Sequence, residues 1–155
     1  MGRQTGQSCL SSEIISLNFI MGTLRDLLAY KKAFELAMTI FELTKSFPKE
    51  EMYSLTDQIR RSSRSVNANL AEAYRRRKYP NHFISKLSDA DTENAETQTW
   101  LDFALACNYI SQEKYRQLFD KSEEIAKLLT YMMSNPEKFL SKSPAVKTQN
   151  SSLPI

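Results

Sequence analysis

Seven cationic side chains lie between residues 60 and 78, where they could bind the phosphate groups of a nucleic acid. Glu72 is the only acid in this segment, and the cations are Arg60, Arg61, Arg64, Arg75, Arg76, Arg77 and Lys78. The segment therefore carries a net charge of +6 in a chain whose total is +3, so the remainder sums to −3. Lysine and arginine bind nucleic acids by neutralising phosphates and releasing their counterions. We therefore take this segment as the candidate nucleic-acid site.

Two structural interpretations compete with nucleic-acid binding for these cations. Basic residues at a helix C-terminus complement the helix dipole by roughly a few tenths of a kcal/mol. Alternatively, Arg60 and Arg61 could pair, within or between subunits, with three acids on one face of a later helical segment, Asp89, Glu93 and Glu96. Residues 75–78 are then the better candidates for binding an external anion.

Catalysis by the single histidine is a further alternative. Arg77 and His82 match the loose arginine-to-histidine spacing of HEPN-type ribonucleases, in which a histidine near a cation acts as an acid or base on RNA. Pro80 falls inside this motif and interrupts the helix that would place the two side chains together. Asn81 is more simply an N-cap, with His82 in the exposed first turn of a helix. We therefore predict no enzyme activity and rank a ribonuclease third.

The residue pattern supports no metal site, no glycine-rich phosphate loop and no disulfide framework. One histidine cannot supply the Glu-x-x-His pairs of a di-iron bundle, and Glu93 and Glu96 lack such a partner. All three glycines occur at or before Gly22, which excludes a glycine-rich phosphate loop later in the chain. Two cysteines, Cys9 and Cys107, suggest neither a disulfide framework nor a zinc site. We predict a cytoplasmic protein without a metal or cofactor.

The length and composition favour one helical domain. The chain has 155 residues, of which 41% are hydrophobic, and no apolar run approaches the ~20 residues of a membrane span. Residues 1–22 are expected to be a disordered leader and residues 141–155 a disordered tail rich in Ser, Pro and Lys. The folded domain is then 23–140.

Apolar residues recur every three or four positions in four segments, which predicts four helices. The expected ranges are 24–46, 55–78, 81–108 and 111–134, separated by Pro48, Pro80, the pair Tyr109 and Ile110, and Pro136. Ser111 is suited to cap the fourth helix. No sustained alternation of polar and apolar residues suggests a sheet. We predict an all-α fold, an antiparallel up-down-up-down four-helix bundle with short connections.

Each helix is expected to present one face to the bundle core. The predicted inner face of the second helix consists of Leu55, Ile59, Ser62, Val66, Leu70 and Ala73, and that of the third consists of Phe83, Leu87, Ala90, Asn94, Leu101 and Leu105. In the fourth it consists of Tyr115, Leu118, Ser122, Ile125, Leu129 and Met132. On the second helix, five cations lie opposite the inner face, within about a third of the helix circumference. They form a stripe that consists of Arg60, Arg61, Arg64, Arg75 and Lys78.

The first helix is apolar over more than half of its circumference. Its predicted inner face consists of Leu27, Tyr30, Phe34, Ala37, Met38 and Phe41. The apolar surface continues onto Ala33 and onto a set for which we predict contact with another subunit, Leu36, Ile40 and Leu43. A helix lining a single core needs an apolar stripe of only about 100° or somewhat more. The pattern therefore favours a homo-oligomer.

Several stretches resemble the proteins encoded in intervening sequences of bacterial 23S rRNA. They are DLLAYKKAFEL, FPKEEMYSLTDQIRRSSRSV, NLAEAYRR, AETQ and YISQEKY, and the resemblance covers about residues 24–135. The family commonly has proline at the position of Asn67 and glycine at that of Ala73. The resemblance implies a non-enzymatic four-helix bundle that forms a ring, typically a pentamer. It also implies kinship with accessory proteins of diversity-generating retroelements, basic barrels that bind nucleic acid and a reverse transcriptase.

Two functions from different classes follow. The leading prediction is a homo-oligomer that binds structured RNA or other nucleic acid, RNA or DNA, through the cations of the second helix. The alternative is a protein-interaction module, an accessory subunit for a reverse transcriptase or a scaffold that recruits another protein.

Overall fold

The computed structural model describes residues 22–141, and within that range it contains four α-helices and no β-strand. We number the helices α1 (Leu28–Thr44), α2 (Leu55–Arg75), α3 (Pro80–Ala106) and α4 (Gln112–Ser134). Short 3₁₀ helices occupy Leu24–Asp26, Lys49–Glu51 and Pro136–Lys138. The all-α prediction is confirmed. The predicted leader and tail, apart from Gly22 and Ser141, lie outside the described residues.

Helix α2 ends at Arg75, three residues earlier than the sequence pattern predicted. Tyr79 is extended, with φ −123° and ψ 93°, because the ring of Pro80 disfavours the helical conformation in the residue before it. The backbone N–H of Arg76 still bonds to the carbonyls of Glu72 and Ala73. The chain then turns, and the N–H of Tyr79 bonds to the carbonyl of Arg76 at 2.9 Å. Arg76, Arg77 and Lys78 therefore lie in a turn.

The caps of α3 and α4 follow from a few residues. Pro80 is the first residue of α3, where its missing N–H costs no helical hydrogen bond, so Tyr79 and not Asn81 is the N-cap. At the other end, Asn108 has a positive φ of 58°, and this left-handed residue ends the helix. The Ser111 side chain accepts a hydrogen bond from the backbone N–H of Lys114 at 3.1 Å, which confirms the predicted cap.

The core is built from the predicted inner faces of α2, α3 and α4. All six predicted residues of α2 are buried. In α3 and α4 the predictions hold except for Leu105 and Tyr115, which are half-buried, and α3 also buries Thr97 and Ala104. These faces meet in one apolar cluster. Burial of such side chains stabilises a fold by about 1.5–3 kcal/mol each for the larger ones.

The buried face of α1 differs in part from the prediction, although Ala37 is buried as predicted. Leu36 and Ile40, predicted to contact another subunit, are 3% and 0% exposed and belong to the core of the single chain. Phe34 and Met38, predicted to be internal, are 53% and 41% exposed. The buried face also contains three alanines spaced by four residues, Ala29, Ala33 and Ala37. Small side chains let α1 approach its neighbours closely, which a wheel that scores only hydrophobicity does not register.

Buried polar side chains join α3 to both of its neighbours. The Asn94 amide donates to the carbonyl of Ser122 at 3.0 Å, and the Ser122 hydroxyl donates to the Asn94 side-chain oxygen at 2.9 Å. On the α2 side, the hydroxyl oxygens of Thr97 and Ser62 are 2.9 Å apart. All four residues are buried. We call them the polar seam, and its pairs set the register between the helices, since a shift would leave buried polar atoms unpaired.

Helix α1 contacts both α2 and α4 through polar groups. Near the C-terminal end of α1, the Thr44 hydroxyl accepts a hydrogen bond from the Arg60 side chain at 2.7 Å. Near its other end, the Tyr30 carbonyl accepts one from the Asn67 amide at 2.9 Å. An ion pair of 2.8 Å between Lys32 and Glu124 connects α1 to α4.

Removing one partner of the polar seam should destabilise the fold. We expect Asn94→Leu and Ser122→Ala each to lower the free energy of unfolding by about 1–3 kcal/mol, because each leaves a buried polar atom unpaired. The double variant should lose less than the sum of the single losses. Chemical denaturation followed by circular dichroism measures all three. A double loss equal to that sum would show that the pair contributes no coupling.

The contact between Tyr115 and Asp102 predicts a pH effect. The Tyr115 hydroxyl donates to the Asp102 carboxylate at 2.7 Å, which raises the pKa of Tyr115 from 10.0 to about 12. Since the folded pKa exceeds the unfolded one, the stabilisation is complete below about pH 10 and disappears as the pH rises through about 12. Tyr115→Phe should therefore be less stable than wild type at pH 8, with a difference that shrinks above pH 10. Denaturation at several pH values checks this, and a constant difference would contradict it.

Candidate nucleic-acid interface

The cations at the start of α2 are engaged within the chain. The Arg60 guanidinium binds Thr44 and lies 5.0 Å from the centre of the Phe41 ring. The Arg64 guanidinium lies 5.4 Å from the same ring. Arg61 is 3.6 Å from the carboxylate of Asp57, one turn earlier on α2. Cation–ring contacts and short-range ion pairs are worth roughly 0.2–1 kcal/mol at exposed sites, so they hold these side chains only weakly.

The predicted pairing of α2 arginines with the acids of α3 is not seen among residues 22–141. Burial, followed by the charges of Glu96 and Asp89, raises the pKa of Glu93 above its ordinary value. Burial and then the charge of Glu123 raise the pKa of Asp91 in the same way. Burial and neighbouring like charges therefore disfavour the charged forms of Glu93 and Asp91. The α3 surface does not neutralise the cations of α2 within one chain.

Arg77 is held against its own helix. Its Nε donates to the carbonyl of Tyr74 at 2.7 Å, and its guanidinium lies 3.5 Å from the centre of the Tyr74 ring. It is half-buried and lines a cavity of about 220 Å³ together with Leu70 and Phe83. The ring of His82 instead lies 5.8 Å from that of Tyr79. No hydrogen bond joins Arg77 to His82 in the described part of the chain, so the two side chains of the ribonuclease hypothesis have separate partners.

The cations most accessible to an external ligand are Arg75, Arg76 and Lys78, which we call the terminal cations. All three are exposed, and within residues 22–141 none makes an ion pair or a side-chain hydrogen bond. The seven cations thus divide into an engaged group and an available group. Of the five cations predicted to form a stripe, Arg60, Arg61, Arg64 and Arg75 lie on α2, whereas Lys78 lies in the turn after it because α2 ends at Arg75.

A further arginine, missed in the sequence pattern, faces the terminal cations. Arg75 and Arg76 line a cleft of about 710 Å³ whose other wall is the N-terminal segment 22–25, including the exposed Arg25. We call this the arginine cleft. A hydrogen bond from the Tyr74 hydroxyl to the Gly22 carbonyl holds its two walls together. No local signal could have linked residues 50 positions apart in the sequence, because only the fold brings them together.

The arginine cleft keeps a net positive charge. Glu72, the one acid among the described residues that line it, lies 3.0 Å from the ammonium group of Lys86, which also contacts Asp89 at 3.1 Å. Hydrogen bonds to Glu72 and then to Asp89 raise the pKa of Lys86 above its ordinary value. Lys86, which Glu72 shares with Asp89, therefore offsets part of the Glu72 charge from outside the cleft. Three guanidinium groups remain to attract an anion such as a phosphate.

Metal-binding and membrane-spanning features are absent from the described residues. Between residues 22 and 141, no three His, Cys, Asp or Glu side chains are arranged to hold a metal ion. Within that range, no helix has both the length and the apolar character that crossing a bilayer requires. Cys107 is exposed and unpaired with another cysteine of the described residues.

Comparison with known proteins places the chain in a family. A crystal structure from Bacteroides thetaiotaomicron, of a protein of unknown function from the S23 ribosomal protein family, is 33% identical with a TM-score of 0.64. The match covers 71% of this chain and 98% of that one. No curated protein matches the chain. The model of the 23S rRNA-intervening sequence protein family matches residues 25–131, which include all four helices except the last three residues of α4. The chain therefore belongs to the 23S rRNA-intervening sequence protein family.

Proposed function

We propose that the protein is a non-catalytic homo-oligomer of the cytoplasm that binds structured RNA or other nucleic acid through the terminal cations. The observation that carries this proposal is the exposure of Arg75, Arg76 and Lys78 without partners among residues 22–141, whereas Arg60, Arg61 and Arg77 are engaged. The family is named for the intervening sequence of 23S rRNA, which supports an RNA ligand. The separate engagement of Arg77 and His82 supports a role without catalysis.

The proposal includes an antiparallel up-down-up-down arrangement of the four helices. Two pairs of residues support it for α1 and α2, since Thr44 contacts Arg60 near their connection and Tyr30 contacts Asn67 farther away. For α3 and α4, the contact of Asp102 with Tyr115 lies nearer to their connection than the contact of Asn94 with Ser122. In each helix pair, a contact farther from the connection joins an earlier residue of the first helix to a later residue of the second, as antiparallel helices require.

A ring-shaped oligomer, a pentamer as the family resemblance implies, is the second part of the proposal. Leu28, Phe34 and Met38 of α1 are 52%, 53% and 41% exposed, and the Phe34 ring is stacked near that of Tyr30 with centroids 6.5 Å apart. Covering this apolar surface with another subunit would remove it from water. Repetition of the terminal cations around a ring would add their fields and strengthen binding to a polyanion.

Neutralising the terminal cations should weaken nucleic-acid binding. We expect the triple variant Arg75→Gln, Arg76→Gln and Lys78→Gln to bind an rRNA fragment more weakly. The slope of its log affinity against log salt concentration should become shallower by about 0.7–0.9 for each phosphate that is no longer neutralised. Fluorescence anisotropy across a range of salt concentrations measures both quantities. Binding by wild type that is absent, or that does not depend on salt, would remove the proposal.

A matched control uses three cations elsewhere on the surface. Lys49, Arg116 and Lys127 are exposed and lie outside α2 and its terminal turn. Their change to Gln removes the same charge from the chain. Equal weakening in the two triple variants would mean that net charge, and not the position of the terminal cations, determines binding.

The exposed face of α1 should control assembly. We expect the double variant Phe34→Asp and Met38→Asp to become monomeric while keeping its helical content, since both side chains are exposed in the single chain. Light scattering coupled to gel filtration gives the mass, and circular dichroism gives the helix content. Tyr53→Asp, at a side chain that is 94% exposed and lies outside α1, should stay oligomeric. A monomeric wild type would contradict the ring.

A second candidate function is a protein-interaction module, such as an accessory subunit of a reverse transcriptase. The observation in its favour is a group of exposed apolar side chains near the start of α2. Met52 and Tyr53 precede this helix in the chain, and Phe103 lies on α3. Tyr53 and Phe103 line a cleft of about 440 Å³ with Trp100. This candidate becomes the leading one if wild type shows no salt-dependent binding of nucleic acid.

A further inference from the structure

An exposed aromatic pair, Tyr79 and His82, follows the cleft residues Arg75 and Arg76 by a few positions in the chain. Tyr79 is 62% exposed, and its ring lies 5.8 Å from that of the exposed His82 at an interplanar angle of 43°. The N–H of Tyr79 bonds to the carbonyl of Arg76, which closes a turn. In such a turn the first and fourth Cα atoms are less than about 7 Å apart. The backbone of Tyr79 is therefore close to that of Arg76, an arginine that lines the cleft.

We propose that the arginine cleft and Tyr79 together bind an unpaired strand of nucleic acid, with the backbone phosphates in the cleft and a base stacked on the Tyr79 ring. This inference rests on the proposed function and assigns it a ligand class. Proteins that hold single strands combine a positive groove along the backbone with aromatic rings on which bases stack. The surface at the end of α2 contains both parts.

The two walls of the cleft explain the phosphate part of this site. Arg25 comes from the segment before α1, whereas Arg75 and Arg76 come from the end of α2. Cations on both walls can contact one backbone from two sides. Lys86 offsets part of the charge of Glu72, and the three arginines outnumber this acid, so the cleft attracts the strand.

The exposed ring of Tyr79 is the reason for the proposed preference for unpaired bases. In a duplex each base is already stacked and paired, and its face is not free for a side chain; loops, bulges and ends can turn a base outward. The His82 ring lies next to the Tyr79 ring at 5.8 Å and offers a second aromatic surface beside it. A structured RNA with loops offers both the strand and the free bases.

The test compares two RNA probes with the full chain. One is a labelled single-stranded RNA of about 12 nucleotides, within the range of site sizes for single-strand binding, and the other is the duplex of the same length. Fluorescence anisotropy at several salt concentrations gives the dissociation constant and the salt slope for each. Wild type should bind the single strand more tightly than the duplex.

Substitutions then separate stacking from charge. Tyr79→Ala should weaken single-strand binding about 5- to 150-fold, leave the salt slope unchanged and leave duplex binding nearly unchanged, while Tyr79→Phe should bind like wild type. Tyr53→Ala is the matched control, because Tyr53 is more exposed but precedes α2, a helix roughly 30 Å long. Arg25→Gln should reduce the single-strand salt slope by about 0.7, whereas Arg116→Gln should not change it. Circular dichroism verifies that each variant is folded.

The possible outcomes distinguish this inference from the function on which it rests. Equal binding of single strand and duplex by wild type would overturn the inference and leave the proposed function standing. The same holds if Tyr79→Ala and Tyr53→Ala have equal effects, or if Arg25→Gln leaves the salt slope unchanged. If wild type binds neither RNA at low salt, both the inference and the proposed function are wrong.

Discussion

The polar seam is the constraint on which the arrangement of this protein depends. Asn94 pairs with Ser122 and Thr97 lies against Ser62, and all four side chains are buried. Apolar side chains tolerate small shifts between helices, but a buried polar atom without a partner costs about 1–3 kcal/mol. The seam therefore selects one register of α2, α3 and α4. That register decides where the end of α2 lies, and hence where its cations meet the N-terminal segment.

The end of α2 shows how one proline changes the use of a charged sequence. Had the helix continued to Lys78, this residue would have followed the helical repeat and joined the predicted stripe. Pro80 forces Tyr79 into an extended conformation, so the last three cations leave the helix in a turn. Arg77 then folds back onto Tyr74, while Arg76 lines the cleft opposite Arg25. The same turn exposes Tyr79, so the charged and aromatic parts of the proposed site have a common origin.

The proposed oligomer and the proposed nucleic-acid site use different surfaces of the chain. The apolar side chains proposed for assembly are on the outer face of α1, and the arginine cleft is between segment 22–25 and the end of α2. Assembly through Phe34 and Met38 would use none of the residues that line the cleft. A few cations in one cleft bind a phosphate backbone weakly, whereas several linked copies gain from a high effective concentration after the first contact.

The sequence alone determined the helical fold class, the approximate ends of the helices and the buried faces of α2, α3 and α4, because these follow from local periodicity and from proline and serine signals. It also indicated a surplus of apolar surface on α1 and a surplus of cations on α2. Only the tertiary structure decided which side of α1 is buried, since both sides are apolar and close packing favours the one with alanines. The placement of Arg25 in the same cleft as Arg75 and Arg76 likewise depends on the fold. Their sequence separation leaves no local pattern, and their proximity arises only when α2 packs against its neighbours in the register of the polar seam.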